Sequence, residues 1–554
     1  MDELIYYFGM TIVRIVMVVA SLTAGFVLGW LFSPKSAGFR KIVFYAIAGL
    51  LVFAAVFLNN FLGWNAAILL SILAFGFGLA YWLGGLATGF FDKPTTFGSS
   101  RWATHEDVIE KEAFGTDGIR IGQFENAEGE MEWVSYKGDR HLLTVAPTRA
   151  GKGTTQIIPN LLTYEGSALV IDPKGENAFS TAERRFNMGQ EIHIVDPWAV
   201  TPLEDLQVSA FNPLDWLDTT DPDLPENAML LASALVVEGN SKDPFWDEEA
   251  KALLQGLIMH VATDAEEDGH RHLPRVRELL VQKQSELDKT FAKMAKSIHP
   301  IIRSTGERSL QKEEKLKASV IATAQSHTHF LDSDRIRMNM KESSFKFEDL
   351  KTKTMTIYLV LPSDRLNTFG RWLRLLVQQA ITVNARNIET KPDKSILFLL
   401  DEFAALGRLT MVEQAYGLMA GYGMQLWGIV QDFNQLDRIY DKGWQSFVSN
   451  SGMINYFGSS DKMTAEYFSS LCGETTVWSL SNAISRSFSQ GGGSSSVSDT
   501  TTPAQRKLAF PDELMRFPQT HQIAFLENMH PLRATKVRWH KDSELKALGR
   551  SMHD

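Results

Sequence analysis

Hydrophobic residues are distributed in three ways along this chain. Residues 4–91 are almost continuously apolar and nearly uncharged. Short apolar runs then alternate with helical stretches, first at Thr144-Val145, Ser167–Ile171 and Glu191–Val195. They resume at Met355–Leu361, Ile396–Leu400, Gln425–Val430 and Gly452–Phe457. Between them, residues 243–341 keep a helical period and offer no strand candidate. Strands alternating with helices predict a doubly wound parallel sheet, because each strand buries both faces and needs a helical crossover. The chain therefore reads as an α/β domain in two parts, 93–242 and 342–554, with an all-helical domain inserted at 243–341. Ser479–Gln505, which contains Gly491–Ser496, is low in complexity and reads as a flexible loop at 479–505.

The first region has the character of a bilayer segment. Ile12–Phe32 is apolar apart from Arg14 and matches the ~30 Å hydrocarbon layer. A polar break with Lys35, Arg40 and Lys41 follows, and Ile42–Phe91 then carries no charge. A turn at Asn59–Asn65 divides that run into spans near 42–58 and 66–86. Residues 1–92 are thus predicted as a transmembrane anchor of about three helices. Charge asymmetry puts Lys35–Lys41 and everything after Lys93 on the cytoplasmic side. A hydrophobic hairpin lying in the interface is the alternative for 42–91.

Two segments carry the candidate chemistry. Thr144–Thr155 reads as a strand, a small-residue loop and a helix start, the arrangement that cradles phosphates with backbone N–H groups while a lysine reaches the outer ones. Ile396–Glu402 reads as a buried strand ending in two carboxylates, one to hold Mg2+ and one to polarise water. Lys152 is assigned to the β- and γ-phosphates of ATP. Thr148, Arg149, Ala150, Gly151, Gly153, Thr154 and Thr155 complete the cradle. Asp401 orients the metal, Glu402 activates water, and Gln431, at the end of the next strand, senses the γ-phosphate. Ala146 replaces the usual first glycine, and Gly153 stands where Ser or Thr normally binds Mg2+; Thr154 is the best metal candidate, with Thr155 or water as the alternatives. Arg408 is the candidate for a finger reaching into a neighbour's nucleotide, in competition with Arg371 and Arg374.

Composition narrows the picture further. A net charge of −10 over 554 residues excludes a protein that coats nucleic acid over its whole surface. Arg271–Lys317 is locally basic, with 12 Lys/Arg against 6 Asp/Glu. It reads as a solvated helical face, with substrate contact as the alternative. Cys472 is the only cysteine, which excludes an internal disulfide framework and suits a small buried side chain.

Several segments resemble, in consistent order, the type IV secretion coupling proteins, the membrane ATPases of bacterial conjugation. They include Pro147–Gly153 with Ile158–Leu162, Gly98–Ala103, Asp172–Glu176 and Asp243–Trp246. Leu400–Phe403, Val430–Asp432 with Gln435-Leu436, Thr464–Tyr467 and Pro511–Leu514 complete the set. The resemblance implies a RecA-like P-loop NTPase domain with an inserted all-helical domain and an N-terminal anchor in the bacterial inner membrane. It also implies a homo-hexamer that brings relaxase-bound single-stranded DNA or effector proteins to the inner-membrane components of a secretion channel. The lipid bilayer is a further partner. The chain departs from the family in suggesting three crossings with almost no periplasmic mass, where two around a periplasmic loop are frequent. Two other functions compete: a docking receptor that binds nucleotide without sustained turnover, and a duplex-DNA translocase.

Overall fold

Seven apolar runs lie side by side as parallel strands. A computed structural model describes residues 2–31, 46–47, 49, 68–69, 71–80, 95–203, 208–237, 244–419, 421–489 and 492–552. Its strands are β1 (Ile119–Glu125), β2 (Met131–Tyr136), β3 (His141–Val145), β4 (Ala168–Asp172), β5 (Glu191–Val195), β6 (Met355–Val360), β7 (Ile396–Leu400), β8 (Met424–Val430), β9 (Ser451–Tyr456), β10 (Glu474–Ser489), β11 (Gly492–Lys507), β12 (His521–Leu526) and β13 (Leu532–Thr535). Eleven of them form one sheet in the order β2-β1-β13-β12-β9-β3-β8-β7-β4-β6-β5. From β9 to β5 every pairing is parallel. From β9 outward through β12, β13, β1 and β2 every pairing is antiparallel.

The period of two explains why these runs are strands. Leu143, Leu169 and Phe398 join the core on one face, whereas their neighbours Leu142, Val170 and Leu397 join the core on the other. Every residue of β3, β4, β6, β7 and β8 is buried, as a parallel sheet covered on both faces requires.

The cradle strand leads into a π-helical turn, Gly153–Ile157, and then α2 (Ile158–Thr163); α1 is the N-terminal helix Asp2–Leu31. The Ile158 N–H bonds to the Gly153 carbonyl five residues back. Pro159 has no N–H for the next helical bond, and the widened turn just before it absorbs that loss. Asn160 ties α2 to β1, accepting from the Arg120 N–H at 2.7 Å and donating to the Arg120 carbonyl at 2.9 Å. The helix after β4 is α3 (Glu176–Asn187).

Among the described residues no strand intervenes between Val195 and Met355. That interval holds α4 (Phe245–Thr263), α5 (Leu273–Leu280), α6 (Gln284–Met294), α7 (Pro300–Gln311) and α8 (Glu314–Thr328). Their apolar faces, including Leu254, Ile258, Phe291 and Ile321, belong to the same core as one face of the sheet. Ser100–Gly473 and Lys507–Asp554 together form one compact unit, and Met1–Ser99 with Glu474–Arg506 form another.

The second unit departs from the sequence reading twice. Among the described residues no helix is long and apolar enough to cross a membrane. The anchor of about three crossings, and the multi-pass placement in a bacterial inner membrane that rested on it, are corrected accordingly. α1 carries Asp2, Glu3 and Arg14 in its first half. The expected spans 42–58 and 66–86 lie largely outside the described residues. Of them, helix is described at 46–47, 49, 68–69 and 71–80. The last piece packs closely on α1: a Cβ at Gly25 or Gly29 would collide with the backbone carbonyls of Leu73 and Phe77. Of residues 479–505, expected as a flexible loop, 479–489 and 492–505 are described, and they lie in the two-stranded sheet of β10 and β11.

Candidate active site

The cradle strand β3 and the carboxylate strand β7 are separated by β8 alone. This order brings three strand ends together on one edge of the sheet, where doubly wound folds bind their ligands. Beyond β3 runs the small-residue loop, beyond β7 come Asp401 and Glu402, and beyond β8 comes Gln431. A cavity of about 550 Å3 opens there, lined by Thr148, Arg149, Lys152, Thr154, Asp401 and Gln431 among others.

The loop is held by backbone bonds. The Ala146 N–H donates to the Val430 carbonyl at 2.8 Å, and the Thr155 N–H to the Gly151 carbonyl at 2.9 Å. Arg149 at φ 65° and Gly151 at φ 90° are left-handed. Glycine takes that conformation freely, whereas Arg149 does so at a cost of order 1 kcal/mol or more. Glu402 is also left-handed, at φ 55°, which turns the chain sharply out of β7. Non-glycine strain of this kind gathers where side chains must be aimed.

Lys152 lies between the two acids. Its Nζ donates to Asp401 Oδ1 at 2.6 Å and to Glu402 Oε1 at 2.8 Å. Gln431 Nε2 donates to the other Glu402 oxygen, Oε2, at 3.2 Å. Burial disfavours the Lys152 ammonium, but the two carboxylates outweigh it and hold its pKa above the ordinary lysine value. Burial lifts the Asp401 carboxyl above the ordinary range against the pull of Lys152.

Asp172, at the end of β4 beside β7, also lines the cavity. It is fully buried, and burial pushes its pKa up to about 7. Its oxygens accept the Lys174 and Ala178 N–H groups at 3.2 and 2.8 Å, which fixes the turn into α3.

The donors present suit a hard cation held mainly by phosphate. Among the described residues no group of three or more His, Cys, Asp or Glu could enclose a metal. Mg2+ commonly takes only one or two protein oxygens alongside phosphates and waters. Asp401 and Thr154 are the oxygens that would hold it here. The Thr154 and Thr155 hydroxyls donate to the Gly151 carbonyl at 3.2 and 2.9 Å, and Thr154 alone of the two stays partly exposed.

The arginine candidates separate clearly. Arg374 is buried and donates to the carbonyls of Ala234 and Arg408, so it holds the loop after β7 in place. Arg371 turns toward Ser326 and His327. Arg408 does not line the cavity; its side chain is 47% exposed, 3.9 Å from Asp441. Sequence reasoning gave no site role to Asp172, Lys174, Glu176, Asn177, Ser363 or Leu366, all of which line the cavity. The charged end of Ser167–Glu176 was a signal for the first three; Ser363 and Leu366 left none.

A family described as Type IV secretory system Conjugative DNA transfer matches residues 92–552. The chain belongs to that family. It is 28% identical over 467 residues to the conjugal transfer protein TraG of Escherichia coli, covering 76% of this chain and 71% of that one. It is 29% identical over 415 residues to the protein VirD4 of Rhizobium radiobacter, covering 74% of this chain and 58% of the relative. The bacterial conjugative coupling protein TrwB, in a trigonal form with sulphate, superposes with a TM-score of 0.61 at 14% identity, over 81% of this chain and 96% of that one. TrwB in complex with ADP and Mg2+ gives 0.59 at 14% identity, over 79% and 94%. These likenesses support the RecA-like α/β fold with its inserted helical region.

Proposed function

We propose that this chain is an ATP-hydrolysing coupling protein of a type IV secretion or conjugation system. It takes relaxase-bound single-stranded DNA, or an effector protein, and uses ATP to pass it to the secretion channel. The observation that carries this reading is the convergence of Lys152, Asp401, Glu402 and Gln431 from three strand ends into one cavity.

The residues divide the work as follows. Incoming phosphate oxygens compete with Asp401 and Glu402 for the Lys152 ammonium. Once Lys152 moves to phosphate, the Glu402 carboxylate is free to accept a proton from water, while the Gln431 amide holds its other oxygen in place. Backbone N–H groups of Gly151 and Gly153 and the start of the helical run face the phosphates. Mg2+, when bound by Asp401 and Thr154, neutralises phosphate charge. Arg408 stands outside its own cavity and exposed, as a residue serving a neighbouring copy must. We assign it that role in a homo-hexameric ring.

Steady-state phosphate release from the purified full chain, with and without single-stranded DNA, tests the reading. Sustained release that DNA accelerates is expected. Bound nucleotide with no release beyond one turnover would leave a docking receptor instead.

A further inference from the structure

A second cavity, about 730 Å3, opens on the other side of the phosphate loop. Arg149, Gly151 and Thr154 line both cavities, so the loop is the ridge between them. The far wall comes from the C-terminal part of the chain. Lys536 follows β13, Arg538 precedes the short helical turn Trp539–Lys541, and Lys541 is the last residue of that turn. Lys536 Nζ donates to the Ala150 carbonyl at 3.2 Å and lies 3.8 Å over the Phe457 ring.

Charge sets this wall apart. Among the described residues Arg149, Lys536, Arg538 and Lys541 form no ion pair with a carboxylate. Asp542, the acid on the same wall, is engaged by the Glu544 and Leu545 N–H groups. Lys536 is the part-buried one of the four, and a half-buried ammonium with no carboxylate beside it calls for an anion, because desolvating a cation without a counter-charge is costly; Arg149, Arg538 and Lys541 are exposed and add positive field around the same hollow.

Its position says which anion. Lys152, Asp401 and Glu402 mark the end of the first cavity where the outer phosphates go. A nucleotide laid along the loop from that end passes Thr154 and Thr155 and reaches the second cavity with its α-phosphate and ribose. We propose that this second cavity holds the nucleoside half of the bound nucleotide, with Lys536 and Arg538 against its α-phosphate and ribose. The inference rests on the nucleotide reading above and adds a lysine that no phosphate-loop motif contains. Burial beside Arg538 supports it, since it pushes the Lys536 pKa down to about 7 and readies the amine to gain from an added negative charge.

The experiment uses periodate-oxidised ATP, whose ribose dialdehyde forms a reducible imine with a nearby neutral amine. The full chain is labelled at pH 8 with and without excess MgATP, reduced with borohydride and mapped by peptide mass spectrometry. ATP affinity is measured in parallel by equilibrium dialysis. An adduct on Lys536 that excess ATP suppresses is expected. Lys536→Met is expected to weaken ADP and ATP by the same factor, about tenfold or more for one lost charge-assisted bond. Lys536→Arg is expected to restore affinity while abolishing the adduct. If ATP binds normally but Lys536 is unlabelled, or is labelled without ATP protection, the assignment falls and the nucleotide reading stands. If ATP does not bind at all, both fall.

Discussion

At the end of the parallel sheet one cation serves two acids: Lys152 reaches Asp401 and Glu402 within 2.8 Å. In the helical block one acid serves two cations: Glu249 meets Arg308 at 2.6 Å and Lys312 at 2.5 Å. The chemistry is alike, but the surroundings differ. The Glu249 cluster joins α4 to α7 over a hollow of only about 20 Å3, with no room for a ligand. The Lys152 cluster opens on about 550 Å3. In the first place ion pairs fasten helices together. In the second they hold a cation charged and positioned at an open cavity, where we propose that phosphate competes for it.

The same contrast revises the basic run Arg271–Lys317. Arg275 pairs with Glu267, Arg277 with Asp332, Lys293 with Asp264 and Lys317 with Asp288. Most of its excess charge is answered within the block, so it is a poor candidate for a free cargo-binding face.

The sharpest way to break the comparison is Lys152→Ala. If its ion pairs exist to be exchanged for phosphate, ATP affinity measured by dialysis falls about 100-fold, while the melting temperature stays near the wild-type value. A large loss of stability with affinity intact would make Lys152 a fastener like Arg308.

Asp172 offers a pH test of the same cavity. Its pKa rises from ~3.9 in the unfolded chain to about 7 in the fold, so the folded state holds the proton more tightly. That stability is fully present below about pH 4 and is lost as the pH climbs to about 7. It amounts to no more than about 4 kcal/mol. Asp172→Asn should flatten the fall of melting temperature between pH 5 and pH 8. An unchanged slope would place the proton elsewhere.

Within the helical block, Arg277→Ala should cost about 1–2 kcal/mol in denaturant unfolding, because its side chain is 8% exposed and bonded to Asp332. Lys289→Ala, which breaks an exposed pair with Glu286, should cost under about 0.5 kcal/mol. Equal costs would contradict a fastening role graded by burial.

The smallest effect concerns Gly153. A Cβ there meets nothing within 4 Å, and its φ is not left-handed, so Gly153→Ser fits without strain. It should lower the Mg2+ concentration for half-maximal ATP binding a few-fold, without altering affinity at saturating Mg2+. No change would mean that Thr154 or water already fills that position.

Much of this architecture was legible in local pattern. Apolar runs ending in charge marked β4, β5 and β7, a small-residue Gly-Lys loop marked the end of β3, and the helical interval after β5 showed as an absence of strands. Lys152, Asp401, Glu402 and Gln431 stood out because each follows a buried strand, and parallel strands deliver their C-terminal ends to one edge. What stayed hidden depends on distant pairing. Nothing near Lys536 in sequence points to Ala150, which it meets only because the antiparallel arm continues the sheet beyond β9, the neighbour of the cradle strand. The neutralisation of the basic run was hidden for the same reason: Arg277 and Asp332 lie 55 positions apart. The N-terminal reading failed differently. Apolar composition alone suggested three spans, whereas no helix among the described residues is long and apolar enough for one.

The central claim is that Glu402 does the chemistry while Lys152 holds the phosphates, and Glu402→Gln tests it most directly. The amide keeps the size of the side chain but cannot take a proton from water. Single-turnover hydrolysis of radiolabelled ATP by the purified full chain, measured beside ATP affinity on the same preparation, should show affinity retained within about threefold and hydrolysis reduced at least 100-fold. Hydrolysis at the wild-type rate with ATP bound would contradict the account and place the base outside this cluster.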